Sequence, residues 1–193
     1  MAREFDAAEE QNDDKTVLPV VFDIVEMVVV AFVASILILT LLFKTGYVHG
    51  ESMEHTMHEN DRYIVSDLFY TPKAGDIVVF QPDYKAANEK LFVKRVIAVG
   101  GQTVDIKKDE SGKYQLYVDN VVQTEPYLSE WQVTEPPFGR TSYSVTVPDG
   151  YFFALGDNRV NSTDSRVIGC VDNRRIVGKV IFRFFPFDKI KFF

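Results

Sequence analysis

The chain has 193 residues, of which 46% are apolar and 25% charged, with a formal net charge of -7 and one cysteine. This length fits one domain of ordinary size, and the composition is that of a globular protein. No basic cluster is dense enough to indicate nucleic-acid binding. A single cysteine, Cys170, excludes a disulfide within the chain, as in a cytosolic protein or an exported domain that is stable without crosslinks.

The N-terminal region combines an acidic segment with an apolar one. Residues 1–16 contain six acidic and two basic side chains, which is typical of an unstructured, solvated tail. Residues 27–43 carry no charge, and as a helix they extend roughly 25 Å, slightly less than the ~30 Å hydrocarbon core of a bilayer. We predict a permanent transmembrane anchor over residues 17–44. A buried core helix and a cleaved signal sequence are the alternatives, but a signal sequence begins with a cationic region and this chain begins with an acidic one.

After the anchor, segments rich in β-branched and aromatic residues alternate with turn signals. Strands are predicted at 62–68, 76–81, 91–99, 102–107, 142–147, 151–155 and 179–185. Residues 113–123 predict a hairpin that turns at Asp119 and Asn120. Residues 125–140 contain three prolines and predict an irregular excursion, within a small insertion around residues 108–145. The fold class is therefore mainly β, and closely spaced strands favour a barrel or a folded-over sheet.

Two residues in this β region could carry chemistry. Ser52 follows a glycine-containing turn just before the strands, where a hydroxyl would be exposed as a nucleophile. In a strand, Lys94 shares a face with Phe92 while Arg95 points to the other face, so one cation could enter the core and the other reach solvent. Taken singly, a serine in a turn and a snorkelling lysine on an edge strand are the simpler interpretations.

The segment from Leu155 to Arg166, LGDNRVNSTDSR, is the most informative motif. It places two acids, two arginines and two serines in one short, turn-prone stretch. Carboxylates, guanidinium groups and hydroxyls at this spacing can fix one another, and a neighbouring site, in a defined geometry. The motif therefore predicts a loop that supports an active site.

Four motifs in order resemble bacterial type I signal peptidase in its compact Gram-positive form. These are Ser52-Met53 just after the apolar segment, GDIVVF at 75–80, VKRVI at 93–97 and GDNRVNSTDSR at 156–166. The likeness extends from the anchor to about Gly178. It implies a membrane-bound serine endopeptidase that removes signal peptides from exported preproteins and needs no cofactor and no metal. The implied fold is a signal-peptidase-like folded sheet or barrel preceded by one transmembrane helix.

The resemblance also implies a location and partners. The chain would cross the plasma membrane once, with tail 1–16 in the cytoplasm and the catalytic domain, residues 45–193, outside. Its partners would be preprotein signal peptides, membrane lipid and the translocation machinery. Substrates would bind as an extended strand with small side chains at the first and third positions before the cut, which fits the Ala-x-Ala pattern of signal cleavage sites.

Roles for individual residues follow from the resemblance. Ser52 would be the nucleophile, its backbone N–H would help to form the oxyanion hole, and Lys94 would be the general base. Ser162 would hydrogen-bond to the Lys94 amine and orient it. The remaining residues implied are the oxyanion-region Gly50, the supporting pair Asp164 and Arg166, and the loop-shaping Asp157, Asn158 and Arg159.

Three positions depart from the family pattern. Glu51 precedes the nucleophile where a small residue is common, and His55 stands where the family usually has proline. Gly50 stands where some members have a serine whose hydroxyl completes the oxyanion hole. A second donor must then come from elsewhere, or the site must use fewer.

A lysine can act as a base only when its amine is neutral. With an ordinary pKa near ~10.4, about one lysine in 2500 is neutral at pH 7. Lowering that pKa to about 7 requires roughly 4–5 kcal/mol, which burial among apolar neighbours such as Phe92 and Val96 can supply.

The same region of the sequence contains residues for other catalytic constellations. His49, His55 and His58 flank Ser52 and could form a Ser–His–Asp triad or, with Glu59, a metal site. The simpler interpretation is that they are surface-loop histidines. Two alternative functions are an inactive, membrane-anchored β domain that binds peptides, and a self-cleaving regulator with a Ser–Lys dyad. The apolar anchor and the lack of a recognisable DNA-binding helix pair disfavour the regulator.

Overall fold

The computed structural model describes residues 2–83, 90–129 and 131–193, with side chains described from residue 19 onward. The chain forms two compact units, Met1–Leu42 and Phe43–Phe193. The first unit is one helix, α1, at Ala2–Leu42. Within it, Pro19–Leu42 has a mean hydropathy of 2.7 and is not buried, so it is long and apolar enough to cross a membrane.

The first unit differs from the sequence prediction at both ends. The anchor was expected to end at residue 44, but α1 ends at Leu42 and Lys44 begins a strand. Residues 2–16, expected to be unstructured, belong to the same helix. Extending an existing helix avoids the cost of a new nucleus, which explains how a polar segment can continue an apolar helix. The division of the chain at residue 16 stays a prediction.

In the part that the structure describes, the second unit is built mainly from twelve strands. Their bounds are Lys44–Tyr47 (β1), Arg62–Ser66 (β2), Ile77–Phe80 (β3), Phe92–Val99 (β4), Thr103–Lys108 (β5), Tyr114–Val118 (β6), Val121–Val122 (β7), Tyr143–Thr146 (β8), Tyr151–Leu155 (β9), Val171–Asp172 (β10), Ile176–Phe185 (β11) and Lys191–Phe192 (β12). Among the described residues of this unit, one short helix, α2, spans Ser165–Ile168, and three 3-10 turns lie at Pro137–Gly139, Asn173–Arg175 and Phe187–Lys189.

The strands form two antiparallel sheets. The larger has the order β1-β2-β11-β3-β4-β9-β10, with β12 also paired to β11, and the smaller has the order β7-β6-β5-β8. The β11–β2, β11–β3 and β4–β9 pairings each contain a register shift. Because such bulges bend and twist a strand, the larger sheet curls instead of lying flat.

Three apolar clusters hold this unit together. One joins the smaller sheet to β4 and β9, through residues such as Ile106, Leu116 and Phe153. A second packs Met53 and Met57, from the loop that follows β1, against β2, β3 and β11. The third includes Phe80, Val96 and Phe152. The second cluster fixes the loop that carries Ser52, because both methionines are fully buried.

The prediction of a mainly β chain behind one apolar helix is confirmed. Every predicted strand is present, with ends displaced by up to three residues, and the hairpin turns at Asp119 and Asn120, both at positive φ. The short strands β1, β10 and β12 were not predicted. Each has only two to four residues, too few to show a periodic pattern.

Candidate active site

Lys94 lies in β4, in the interior of the larger sheet. Its strand is paired with β3 on one side and with β9 on the other, and in the β3 register Lys94 stands opposite Val78. The side chain is buried, with the residue 4% exposed, and its amine lies 5.3 Å from the centre of the Phe92 ring. The prediction that Lys94 enters the core beside Phe92 is confirmed.

The other half of that prediction was wrong. Arg95 was expected to reach solvent, but its side chain is only 12% exposed because it forms a two-bond ion pair with Asp157. Nε lies 2.9 Å from Oδ1 and Nη2 lies 2.6 Å from Oδ2 of that carboxylate. Asp157 is itself completely buried, so the second face of β4 also carries charge into the interior.

Ser52 lies in the loop between β1 and β2. The loop is held from inside by Met53 and Met57, and a turn bond from Met57 N–H to the Met53 carbonyl, 2.8 Å, keeps it compact. The Lys94 amine donates a hydrogen bond to Ser52 Oγ. The structure therefore brings together two residues that are 42 positions apart in the sequence.

The environment of Lys94 increases the fraction of its amine that is neutral. Burial lowers the pKa of Lys94 to about 8, and the carboxylates of Asp164 and Asp157 limit the decrease. With a pKa of 8, roughly one amine in ten is neutral at pH 7. The desolvation expected from the sequence is present, but it lowers the pKa of Lys94 only to about 8 and not to about 7.

The segment 156–166, called here the catalytic loop, meets the serine loop through backbone bonds. Asn158 N–H donates to the Ser52 carbonyl over 3.0 Å, and the Asn158 side-chain amide donates to the Glu51 carbonyl over 3.1 Å. Gly156 lies so close to the Ser52 carbonyl and to Ser162 that a β-carbon there would clash with both. The two loops are therefore fitted to each other at the nucleophile.

Asp164 and Arg166 form the predicted pair. Nε lies 2.9 Å from Oδ1 and Nη2 lies 2.9 Å from Oδ2. Burial alone would raise the pKa of Asp164, but the hydrogen bonds and charge of Arg166 outweigh it and hold that pKa below its ordinary value. Asp164 also accepts a hydrogen bond from Gly156 N–H and caps α2, so the motif, predicted to be a loop, contains the start of a helix.

One contact implied by the resemblance is not formed. Ser162 was expected to hydrogen-bond to the Lys94 amine, but no such bond is formed: the buried Ser162 hydroxyl faces the Asp164 carboxylate, where it helps to lower the pKa of Asp164. The Ser162 side chain packs against Gly156, whereas the Lys94 amine donates to Ser52. The orientation of that amine in the structure therefore comes from Ser52 and from the walls of the site.

Glu59 is a residue that sequence reasoning considered only as a metal ligand. Its carboxylate accepts a hydrogen bond from Gly50 N–H and lies 3.0 Å from His49 Nδ1. The backbone N–H of Gly50, a residue at φ +90°, is thus already hydrogen-bonded to the Glu59 carboxylate. No local pattern indicates this contact, because the two residues lie nine positions apart in an irregular loop.

The histidines do not form the catalytic arrangements weighed above. His49 contacts Glu59, and His58 Nδ1 lies 3.9 Å from the Asp61 carboxylate. The rings of His55 and Trp131 are perpendicular, with 6.5 Å between their centres. The hydrogen-bond partner of Ser52 Oγ is Lys94. Among the described residues no group of three histidine, cysteine or acidic side chains could hold a metal ion.

A cleft of about 770 Å³ opens beside the two residues. Its walls are residues 45–53 on one side and 90–94 on the other, with Tyr63, Asn161 and Thr163 completing them. The cleft is large enough for several residues of an extended peptide. A nucleophile and a partly neutral amine at its wall suit acyl transfer.

Residues 21–185 match the family described as Signal peptidase, peptidase S26. The chain belongs to this family. It is 36% identical over 178 residues to signal peptidase I of Bacillus licheniformis, covering 88% of this chain and 91% of that one. Signal peptidase IB of Staphylococcus aureus is 35% identical over 181 residues, covering 86% and 90%. A solved structure of a signal peptidase I from Enterococcus faecalis is 28% identical, with a TM-score of 0.44, and covers 57% of this chain and 97% of that one.

Membership of the signal peptidase family makes this chain a serine peptidase, a hydrolase. The family also supports signal-peptide cleavage, as the resemblance implied. The apolar helix Pro19–Leu42 fits the single membrane anchor of a signal peptidase.

Proposed function

We propose that this chain is a membrane-anchored endopeptidase that cleaves signal peptides with a Ser52–Lys94 dyad. The observation that carries the proposal is the hydrogen bond between a buried lysine amine and the Ser52 hydroxyl. A fully charged ammonium could not accept the serine proton, but burial leaves part of the Lys94 population neutral.

The dyad performs both halves of an acyl transfer. Ser52 Oγ attacks the scissile carbonyl carbon while neutral Lys94 takes the hydroxyl proton. The resulting ammonium returns that proton to the leaving amine as the peptide bond breaks, which leaves an ester on Ser52. A water molecule, deprotonated by Lys94, then attacks the ester carbonyl carbon. As the bond from that carbon to Ser52 Oγ breaks, the Lys94 ammonium returns the proton to Ser52 Oγ, and the carboxylic acid product leaves the free enzyme.

The remaining predicted residues position the dyad. Asn158 holds the carbonyls that flank the nucleophile, which directs the Ser52 N–H toward the developing oxyanion. Asp164 and Arg166 fix the loop that closes the site over Lys94. The Gly50 N–H is already bound to Glu59, so we assign the oxyanion to the Ser52 N–H rather than to Gly50.

The position of the anchor next to Ser52 fits a substrate that is cleaved at the membrane surface. Ser52 is only the ninth residue after Phe43, so a helix crossing the bilayer would keep the nucleophile near its surface. Signal peptides present their cleavage sites there as they leave the translocation machinery. In this arrangement the N-terminus is cytoplasmic, the catalytic unit is extracytoplasmic, and the preprotein binds in the cleft as an extended strand.

The test uses the full chain in detergent micelles with a purified preprotein that carries an Ala-x-Ala cleavage site. Ser52→Ala and Lys94→Ala are each expected to lower kcat/KM roughly a thousandfold or more. The matched controls are Ser144→Ala and Lys107→Ala, two exposed positions in the smaller sheet. Both are expected to cleave like the wild type.

The outcomes separate the candidate functions. Cleavage at the expected bond, lost only in the two dyad variants, supports the proposal. Preprotein binding without cleavage by any form would establish the inactive peptide-binding domain. Cleavage that persists in Lys94→Ala would assign the general base to another group.

A further inference from the structure

The excursion at residues 125–140 makes an unusual set of contacts with the catalytic loop. It lies in the insertion between β7 and β8, and apart from one 3-10 turn its described residues form no helix or strand. An irregular surface segment ordinarily pairs its polar groups with itself or with water. Here several of them converge instead on one side chain of the catalytic loop, Arg159.

Arg159 is completely buried under the excursion. Its Nη2 lies 2.6 Å from Glu125 Oε1, and its Nη1 donates to Thr134 Oγ1. Its backbone N–H donates to the Gln132 side chain over 2.7 Å. Glu125 is only 13% exposed, so both partners of this ion pair have lost most of their water. A pair of this kind is strongly weakened when one partner is removed, because the other charge stays buried.

Tyr127 links the excursion to a second arginine of the site. Its hydroxyl donates to Glu125 over 3.0 Å and receives a longer contact from Arg159 Nη2 at 3.4 Å. The face of its ring lies 3.9 Å from the Arg95 guanidinium carbon. Arg95 is the partner of Asp157, so the ring covers an ion pair that belongs to the catalytic loop.

Arg159 connects the excursion to the residues around the nucleophile. Its Nε donates to the Gly156 carbonyl over 3.0 Å, which closes the start of the catalytic loop upon itself. The Gly156 backbone lies so close to the Ser52 carbonyl that a β-carbon there would clash with it, and Asn158, the residue before Arg159, donates its N–H to that same carbonyl. At the other end, Arg166 Nη2 donates to the Arg159 carbonyl over 2.7 Å.

We infer that the excursion is a strap that holds the catalytic loop in its working shape, with Glu125 as the positioning residue acting through Arg159. The inference rests on the proposed Ser52–Lys94 function. Glu125 touches neither member of the dyad in the structure. Its effect is to keep the loop packed, so that Asn158 stays on the serine loop and water stays out of the Lys94 site.

The test is Glu125→Gln in the full chain in detergent micelles, with Glu135→Gln as the matched control. Glu135 lies in the same excursion, but its side chain is exposed and it contacts the catalytic loop through its backbone carbonyl, which the substitution preserves. Glu125→Gln is expected to lower kcat roughly 10- to 100-fold with little change in KM, as displacement of a catalytic group does. Glu135→Gln is expected to match the wild type.

The pH profile separates positioning from a general loss of stability. If the loosened loop admits water to the Lys94 site, the acidic limb of the Glu125→Gln profile moves to higher pH by about one unit. A milder variant, Tyr127→Phe, removes the hydroxyl contacts but keeps the ring over Arg95. It is expected to lower kcat about threefold and to shift the limb in the same direction.

The results discriminate cleanly. If Glu125→Gln keeps the wild-type kcat and the acidic limb of its pH profile stays at the wild-type position, the strap proposal is refuted. Should Glu125→Gln fail to fold, wild-type behaviour of Tyr127→Phe would overturn it equally. A wild-type chain that does not cleave the preprotein would instead refute the proposed function, so the two failures are distinguishable.

Discussion

Raising the pH from 7 to 9 changes the protonation of one buried group at the proposed site, Lys94. Its pKa is about 8 because burial penalises the ammonium. The neutral fraction is therefore roughly 9% at pH 7 and roughly 91% at pH 9. If neutral Lys94 is the general base, kcat/KM for preprotein cleavage should increase about tenfold across this interval. The dependence should follow a single ionisation with its midpoint near pH 8.

The assay measures initial cleavage rates of a preprotein by the full chain in detergent between pH 6 and 10. Ser52→Ala at each pH gives the background hydrolysis. Circular dichroism at the same pH values checks that the chain stays folded. An activity that is flat from pH 7 to 9, or a midpoint above about pH 9.5, would refute the reasoning, because Lys94 would then be titrating like a lysine in water.

Three further substitutions test the buried residues around the proposed site. Lys94→Met should change how the free energy of unfolding depends on pH. The depressed pKa of Lys94 destabilises the folded wild type by about 3 kcal/mol below pH 8, and this destabilisation disappears as the pH rises toward 10.5. In urea unfolding, the stability advantage of the variant over the wild type should therefore shrink between pH 8 and 10.5. Gly156→Ala should lower both melting temperature and kcat, since its β-carbon would strike the Ser52 carbonyl; wild-type values would show that the two loops separate at no cost. Arg95→Met should lower the free energy of unfolding by about 3–5 kcal/mol, because Asp157 would be left buried without its cation; a loss below 1 kcal/mol in chemical denaturation would contradict the ion pair.

The sequence predicted the strands well because their pattern is local. Alternating β-branched and aromatic residues locate β4, and the neighbours of Lys94 on the same face of that strand, Phe92 and Val96, are apolar, which indicated burial. The turn at Asp119 and Asn120 was predicted for a similar reason, since both residue types tolerate the positive φ found there. The short strands left too few residues to show any period.

The candidate site was predicted through motifs and not through contacts. Ser52, Lys94 and the pair Asp164–Arg166 were named from their resemblance to a family, and the structure brings these residues together as expected. The Ser162 contact was expected on the same grounds and is not formed. A resemblance transfers which residues are present, but a hydrogen bond depends on side-chain packing within tenths of an ångström.

The sequence by itself determined a mainly β chain behind an apolar helix, and it determined which side chains could carry the chemistry. Composition and periodicity act over a few neighbouring residues, so they can be read without a fold. Only the tertiary structure decided that Arg95 turns inward to Asp157, that Glu59 binds Gly50, and that Glu125 reaches Arg159. These contacts join residues 9 to 62 positions apart, and buried charges choose partners by the space that folding leaves them.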